Sequence, residues 1–274
     1  MRNMKRVIFG GTTEGRELSL ELAGLGAEVT VSVASEYGAE EQGEAPGITV
    51  VDGLKDEDAI RELIRGTDLV VDATHPYAVI VTENVRKAAE AEGVERLRLV
   101  RENTMPGTTG RIAPAEDAAD PKPEAGSRTM GGLTILPAED PEDAAKICRD
   151  TGGNILLTTG SKDLKIYASA IPAEKLFPRV LPLVSSIEAA EEAGIPHRNI
   201  IAVQGPFSEE LNRAVIRDYG IDILVTKESG KAGGFEEKIR ACEACGIPAV
   251  VIRRPEDAGL PYEEVLRLCR AKLL

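Results

Sequence analysis

Two adjacent glycines, two threonines and an acid, Gly10-Gly11-Thr12-Thr13-Glu14, stand between the apolar run Val7-Ile8-Phe9 and a segment whose leucines, Leu18, Leu22 and Leu25, recur near helical spacing. Glycines let a backbone approach a phosphate closely. Threonine hydroxyls can donate to it, and a helix amino-terminus adds free N–H groups and a positive dipole end, so the chemistry on offer is anion binding. A glycine-rich turn with Thr12 or Thr13 serving only as the helix N-cap accounts for the same residues without a ligand. The usual G-x-G-x-x-G fingerprint is not met, because Gly10 and Gly11 are adjacent and Gly15 falls a turn into the helix.

Other polar residues follow apolar runs in the same way. Thr74-His75-Pro76 succeeds Leu69-Val70-Val71, and His75 is one of two histidines, the other being His197. A histidine in a turn is often structural, with one hydrogen bond; at the end of a buried strand it is also placed for a ligand or a proton. Lys162 with Asp163 in TTGSKDL, and Lys227 with Glu228 in TKESG, set opposite charges side by side at strand ends. Such charges are commonly solvated helix starts, yet lysines at a rim also suit a carboxylate ligand, as does Arg253 after the last strand. Gln204-Gly205-Pro206-Phe207 forms a turn before a helix for which Ser208 is a good N-cap, and Phe207 is free to enter the core or to pack on a flat ring. The candidate catalytic residues are therefore His75, Lys162 and Asp163. Thr159, Gly160, Lys162, Gln204, Gly205, Phe207, Lys227, Ser229 and Arg253 are the candidate substrate contacts.

The elements that must position these groups alternate. Strands are expected at Val7-Ile8-Phe9, 28–34, 48–51 and 68–73, with helices over 57–64 and 79–92, which makes a βαβ series and a parallel sheet. From 104 to 132 periodicity disappears and Pro, Gly, Ala and acids accumulate, as in a linker, lid or insertion. Alternation resumes with strands at 154–158, 200–203, 222–225 and 249–252. The expected class is α/β, two Rossmann-like parallel-sheet domains with a cleft between them: a dinucleotide-binding domain over 1–103, the connection 104–132, and a substrate domain over 133–274. Ligands in open parallel sheets lie beyond the carboxyl ends of the strands, so the polar turns should line the rims.

Composition removes several classes. A net charge of −13 with no local run of Lys or Arg opposes nonspecific nucleic-acid binding, and an aromatic content of 3% without Trp leaves few platforms for stacking bases. No apolar run reaches membrane-spanning length, and a strand begins within a few residues of Met1, so a cytoplasmic location is expected. Cys242 and Cys245 form a C-x-x-C, but inside a helical pattern and without the second close pair of a structural zinc site; with Cys148 and Cys269 they read as thiols of a reducing compartment, and no metal is expected.

Taken together, GGTTEGR, DATHPYA, LLTTGSKDL, GPFSEELN, LVTKESG and IPAVVIRRP resemble, in order and approximate spacing, the precorrin-6A reductases of cobalamin biosynthesis over nearly the whole chain outside 104–132. The resemblance implies Rossmann-like domains that hold a nicotinamide cofactor on the GGTTE turn, with Gly10, Gly11, Thr12, Thr13 and Glu14 as its cradle and Thr74, His75 and Pro76 beside it. It also implies reduction of one ring double bond of an anionic tetrapyrrole, a corrinoid precursor, with hydride delivered to carbon 19 and a proton to carbon 18. The lysines of the second rim would then meet its acetate and propionate arms.

The segment Ala34-Ser35-Glu36 resembles the anaerobic branch, whose substrate is cobalt-precorrin-6A. An acid some twenty residues beyond the glycine turn suits the free ribose hydroxyls of NADH and repels the extra phosphate of NADPH. NADH is the expected donor, NADPH the other, with Ser35 and Glu36 completing the cofactor set and Arg16 able to offset the repulsion. A monomer or small homo-oligomer is expected. The alternative function is a nucleotide-sensing regulatory module without catalysis, which needs one nucleotide pocket where a reductase needs a second wall. No Tyr-x-x-x-Lys pair is placed to serve a short-chain reductase.

Overall fold

Burial explains why the first strand forms where it does: Val7, Ile8 and Phe9 are at most 2% exposed, each worth about 1.5–3 kcal/mol when fully buried. The computed structural model describes residues 5–100, 128–130, 133–228, 233–255 and 257–272, and divides into two units. The first contains β1 (Lys5–Phe9), α1 (Thr13–Gly24), β2 (Glu28–Ser32), α2 (Glu36–Gln42), β3 (Ile48–Val51), α3 (Glu57–Ile64), β4 (Leu69–Asp72), α4 (Val79–Glu92) and β5 (Arg96–Arg98). Its strands lie in the order β3-β2-β1-β4-β5, all pairs parallel. The chain winds one way from β1 to β3 and the other way from β1 to β5. The switch point is therefore between β1 and β4, where ligands of such sheets enter.

The second unit runs through β6 (Arg128–Met130), β7 (Leu133–Ala138), α5 (Pro141–Thr151), β8 (Ile155–Leu157), α6 (Leu164–Ala170), β9 (Leu176–Val180), α7 (Val184–Glu192), β10 (Ile201–Ala202), α8 (Glu209–Asp218), β11 (Ile223–Lys227), α9 (Phe235–Cys245) and β12 (Ala249–Ile252). The order is β10-β9-β8-β11-β12-β7-β6, parallel except for the antiparallel edge pair β6 and β7. The carboxyl ends of β8, β10 and β11 therefore share one edge, as expected for TTGSKDL, VQGPF and TKESG. Cys148 and Cys242 are fully buried here, and burial pushes both thiols up to about 12.

Two expected boundaries change. Within the expected connection 104–132, Arg128–Met130 is a strand paired with β7, while 104–127 lie outside the described residues. The expected second domain, 133–274, loses its tail: 255–272 group with the first unit, and α10 (Tyr262–Ala271) buries Val265, Leu266 and Cys269 against Leu18, Leu22 and Leu69. The reason is apolar periodicity without a partner elsewhere, reinforced by backbone bonds from Val100 N–H to Leu260 O (2.9 Å) and from Leu260 N–H to Arg98 O (2.8 Å). Gly259 permits this approach, since a Cβ there would lie 2.5 Å from Val100 Cγ1 and 2.7 Å from the Arg98 carbonyl. Gly259→Ala should therefore cost about 1–3 kcal/mol, read as a lower urea midpoint at unchanged slope; an unchanged midpoint would show that the returning segment adapts.

Candidate functional site

In the first unit the turn after β1 and the turn after β4 meet at the switch point. Gly10 N–H bonds Ser32 O at 2.8 Å, and a Cβ on Gly10 would stand 3.1 Å from Val31 Cγ1. Gly11 has φ +107, a conformation that strains any side chain. Gly15 is buried, and a Cβ there would meet Ala73 Cβ at 2.9 Å, so this glycine sets how closely α1 packs on the end of β4. Gly10 and Gly15 thus carry the first and last roles of the dinucleotide fingerprint at the right separation, with Thr12 standing where its middle glycine would be.

Thr12 is spent on structure. Its hydroxyl donates to Ala73 O at 2.9 Å and accepts from Gly15 N–H at 3.1 Å, which makes it both the N-cap of α1 and a tie between the two turns. It has no proton left for a phosphate, so the expected role of its side chain as a donor is corrected. The backbone N–H groups of Gly11, Thr12 and Thr13 have no partner among the described residues. Three such donors at the start of a helix, on a turn without side-chain bulk, fit a pyrophosphate. Glu14 is half-buried in the same first turn.

Beneath the second turn lies a charge network that sequence reasoning missed. Asp72 is fully buried and its carboxylate accepts from Arg98 Nη1 (2.8 Å), Arg96 Nη1 (2.9 Å) and the Thr74 hydroxyl (2.8 Å). Arg98 continues to Asp257 through Nε at 2.9 Å and Nη2 at 2.5 Å, and its Nη1 also reaches the carbonyls of Asp72 and Thr74. The Thr74 side chain is therefore turned inward, again against expectation. His75 is half-buried; its ring stacks on Tyr77 at 5.5 Å and its Nδ1 accepts from Tyr77 N–H at 3.4 Å, which in the neutral ring assigns the proton to Nε2. Pro76 is half-buried beside it.

The second strand was expected over 28–34; instead β2 stops at Ser32, Ser35 caps α2 by accepting from Gly38 N–H at 3.2 Å, and Glu36 is the exposed first residue of that helix. Arg16 bonds Gln42 O through Nε at 3.2 Å, at the opposite end of α2 from Glu36.

In the second unit the rim is organised by a cross-strand pair and not by neighbours in sequence. Lys227 Nζ reaches Asp163 Oδ2 at 2.9 Å, both side chains 21% exposed, joining the ends of β11 and β8; Lys162 is exposed and does not pair with Asp163. Glu228 accepts instead from Arg254 N–H at 3.3 Å, and Arg253 pairs with Glu139 at 2.6 Å. Gly160 has φ +88, Thr159 Oγ1 is buried, Gln204 and Gly205 are exposed, and Ser229 lies outside the described residues. Ser208 is the N-cap of α8, accepting from Leu211 N–H at 3.2 Å.

Behind this rim sit two buried cations without a counterpart in the sequence reading. Arg179, on β9, is 8% exposed, its guanidinium 4.2 Å from the centroid of the Phe207 ring and its Nη1 bonded to Asn212 Oδ1 at 2.7 Å. Lys238, on α9, is 6% exposed and donates to Thr226 Oγ1 at 3.1 Å. Desolvation, and then the charge of Arg179, lower the Lys238 ammonium to about 8; burial lowers Arg179 to about 10. The signal was available: an arginine inside the otherwise apolar strand LFPRV and a lysine on the inward face of a helix. Among the described residues no group of three His, Cys, Asp or Glu is placed to hold a metal ion.

A family model described as precorrin-6x reductase CbiJ/CobK matches residues 6–270. The chain is 31% identical over 256 residues to the cobalt-precorrin-6A reductase of Methanothermobacter thermautotrophicus, covering 92% of this chain and 77% of that protein. It is 32% identical over 250 residues to the cobalt-precorrin-6A reductase of Salmonella typhimurium, covering 91% of this chain and 87% of the other. The solved structure of CobK precorrin-6A reductase is similar with a TM-score of 0.70 at 22% identity, over 98% of this chain and 97% of that one, a likeness that bears on the fold.

Two outcomes follow from the buried charges. Arg98→Met should cost about 3–5 kcal/mol, because Asp72 keeps only Arg96 as a charged partner in an interior site; a loss under 1 kcal/mol in urea unfolding would contradict the network's importance. The ammonium of Lys238 is lowered in the folded chain from its ordinary value of 10.5, so the folded state binds fewer protons than the unfolded one between about pH 8 and 10.5. Stability from this group is thus diminished below pH 8 and recovers as pH rises to 10.5. Lys238→Met should accordingly raise Tm at pH 7, with a gain that fades toward pH 10; a Tm unchanged or lowered at pH 7 would contradict it.

Proposed function

The chain belongs to the precorrin-6x reductase family, and from that premise we propose that it reduces cobalt-precorrin-6A with NADH, carrying hydride to carbon 19 while a proton is added at carbon 18. The reading is supported above all by the open N–H groups of Gly11, Thr12 and Thr13 at the switch point, beside the turn that carries His75. These groups would hold the pyrophosphate, with Gly15 keeping the helix start close and Thr12 keeping the two turns in register. The nicotinamide, when bound, supplies the hydride. His75, its Nδ1 occupied by the Tyr77 N–H, would present Nε2 toward the reacting ring. In the second unit, Lys162 and the Lys227–Asp163 pair would receive the acid arms of the corrinoid, with Asp163 holding Lys227 at the rim.

The choice of NADH rests on Glu36. A carboxylate at the exposed start of α2 accepts from the ribose hydroxyls and repels a phosphate dianion, and screening by water leaves roughly a tenfold preference. Arg16, bonded at the far end of that helix, supplies no direct offset.

Anaerobic incubation with NADH and cobalt-precorrin-6A should change the ultraviolet-visible spectrum of the corrinoid; folded protein that produces no change with either NADH or NADPH would sink the reductase reading. The ratio of kcat/KM for NADH over NADPH should exceed one in the parent and fall in Glu36→Arg. A parent that prefers NADPH, or a ratio that does not move, would remove Glu36 from donor selection. Gly11→Val should leave a folded protein whose nicotinamide affinity, measured by calorimetry, is lost, since a branched residue cannot keep φ +107 and the turn must open. Retained affinity would show that the cradle lies elsewhere.

A further inference from the structure

We propose that Arg179 and Lys238 form an interior anion subsite in the second unit that receives one carboxylate arm of the tetrapyrrole. The inference rests on the reductase reading for the identity of the ligand, but its geometry stands by itself. Two contacts fix the guanidinium. Asn212, fully buried and itself anchored by Nδ2 donation to Ser208 O at 2.8 Å, accepts from Nη1. Phe207 covers one face of the guanidinium, and Gly205 allows the ring to lie there, since a Cβ would stand 2.9 Å from Phe207 Cε2. What remains is the edge formed by Nε and Nη2, which has no hydrogen-bond partner among the described residues. That edge is the fork with which arginine grips a carboxylate through two parallel bonds, and an arginine already held on its other side loses little freedom in doing so.

Lys238 supplies the second positive charge. Its one polar contact is the neutral Thr226 hydroxyl, and no carboxylate lies within ion-pair distance of Lys238 or Arg179 among the described residues. The titratable and charged groups around it are Arg179 from β9 and Glu237 and the Cys242 thiol from its own helix, and Arg179 outweighs Glu237 in its effect. Two buried cations that repel each other are costly, whereas the interior Arg98 of this acidic protein is matched to two carboxylates. A carboxylate arm would remove that imbalance. The position suits one: Arg179 is next to the last residue of β9 and Thr226 next to the last of β11, both at the carboxyl ends of parallel strands.

The test uses uroporphyrin, a planar octacarboxylate, and its octamethyl ester as fluorescent probes on the full chain, alongside reductase turnover. The parent should bind the acid and not the ester, and its affinity should fall about tenfold between pH 7 and 9 as Lys238 loses its proton. Lys238→Met should weaken binding at pH 7 about tenfold and abolish that pH dependence, and Arg179→Lys, which keeps the charge but not the fork, should also weaken it. Nicotinamide affinity should be unchanged in both. A parent that binds no porphyrin, or a Lys238→Met protein with the parent's affinity and pH profile, would overturn the subsite. Porphyrin binding that obeys these expectations in a protein without reductase turnover would keep the subsite and reject the reductase reading instead.

Discussion

A carboxylate without access to water, that of Asp72, is the constraint on which the first unit depends. Removing such a charge from solvent costs several kcal/mol unless hydrogen bonds and opposite charge replace the water. Here Arg96, Arg98 and the Thr74 hydroxyl do so, and the same Arg98 then requires Asp257. The turn that carries His75, the last strand of the sheet and the segment leading to α10 are thereby held by one set of charges. Thr12 extends this order to the cofactor turn through the Ala73 carbonyl. The cradle N–H groups stay open beside a Thr12 side chain that is already committed to Ala73 O and Gly15 N–H.

The second unit handles interior charge in the opposite way. Its rim pair, Lys227 with Asp163, is balanced and partly wet, whereas Arg179 and Lys238 are buried with no ion-paired acid among the described residues. A protein that keeps such a pair gives up stability for it, a trade found where a ligand restores the balance. Neutral partners, Asn212 and Thr226, aim the two cations without cancelling their charge.

How much of this could be read from sequence follows from the range of the interactions. Local signals served well: α3, α4, β3 and β12 occur at the expected residues, because hydrophobic period and turn chemistry act over a few positions. The relation of 255–272 to the first unit was not readable, since the apolar stripe of α10 does not say which sheet it will cover. For the same reason TTGSKDL revealed that Lys162 and Asp163 adjoin but not that Asp163 would pair with Lys227, 64 residues away. The second strand was drawn two residues too long because the chain leaves the sheet before Ser35, which caps the next helix. The adjacent glycines hid a spacing that does survive, Gly10 to Gly15, because Thr12 takes the middle position.

The central claim is that the dinucleotide rests on the turn after β1, at the switch point of the first sheet. Amide hydrogen exchange with and without saturating NADH tests it most directly, since it reads the backbone N–H groups themselves. Slower exchange at residues 11–15, accompanied by 73–77, is the result the account predicts. NADH binding that leaves those amides exchanging at their free rate, with protection confined to other parts of the chain, would contradict it.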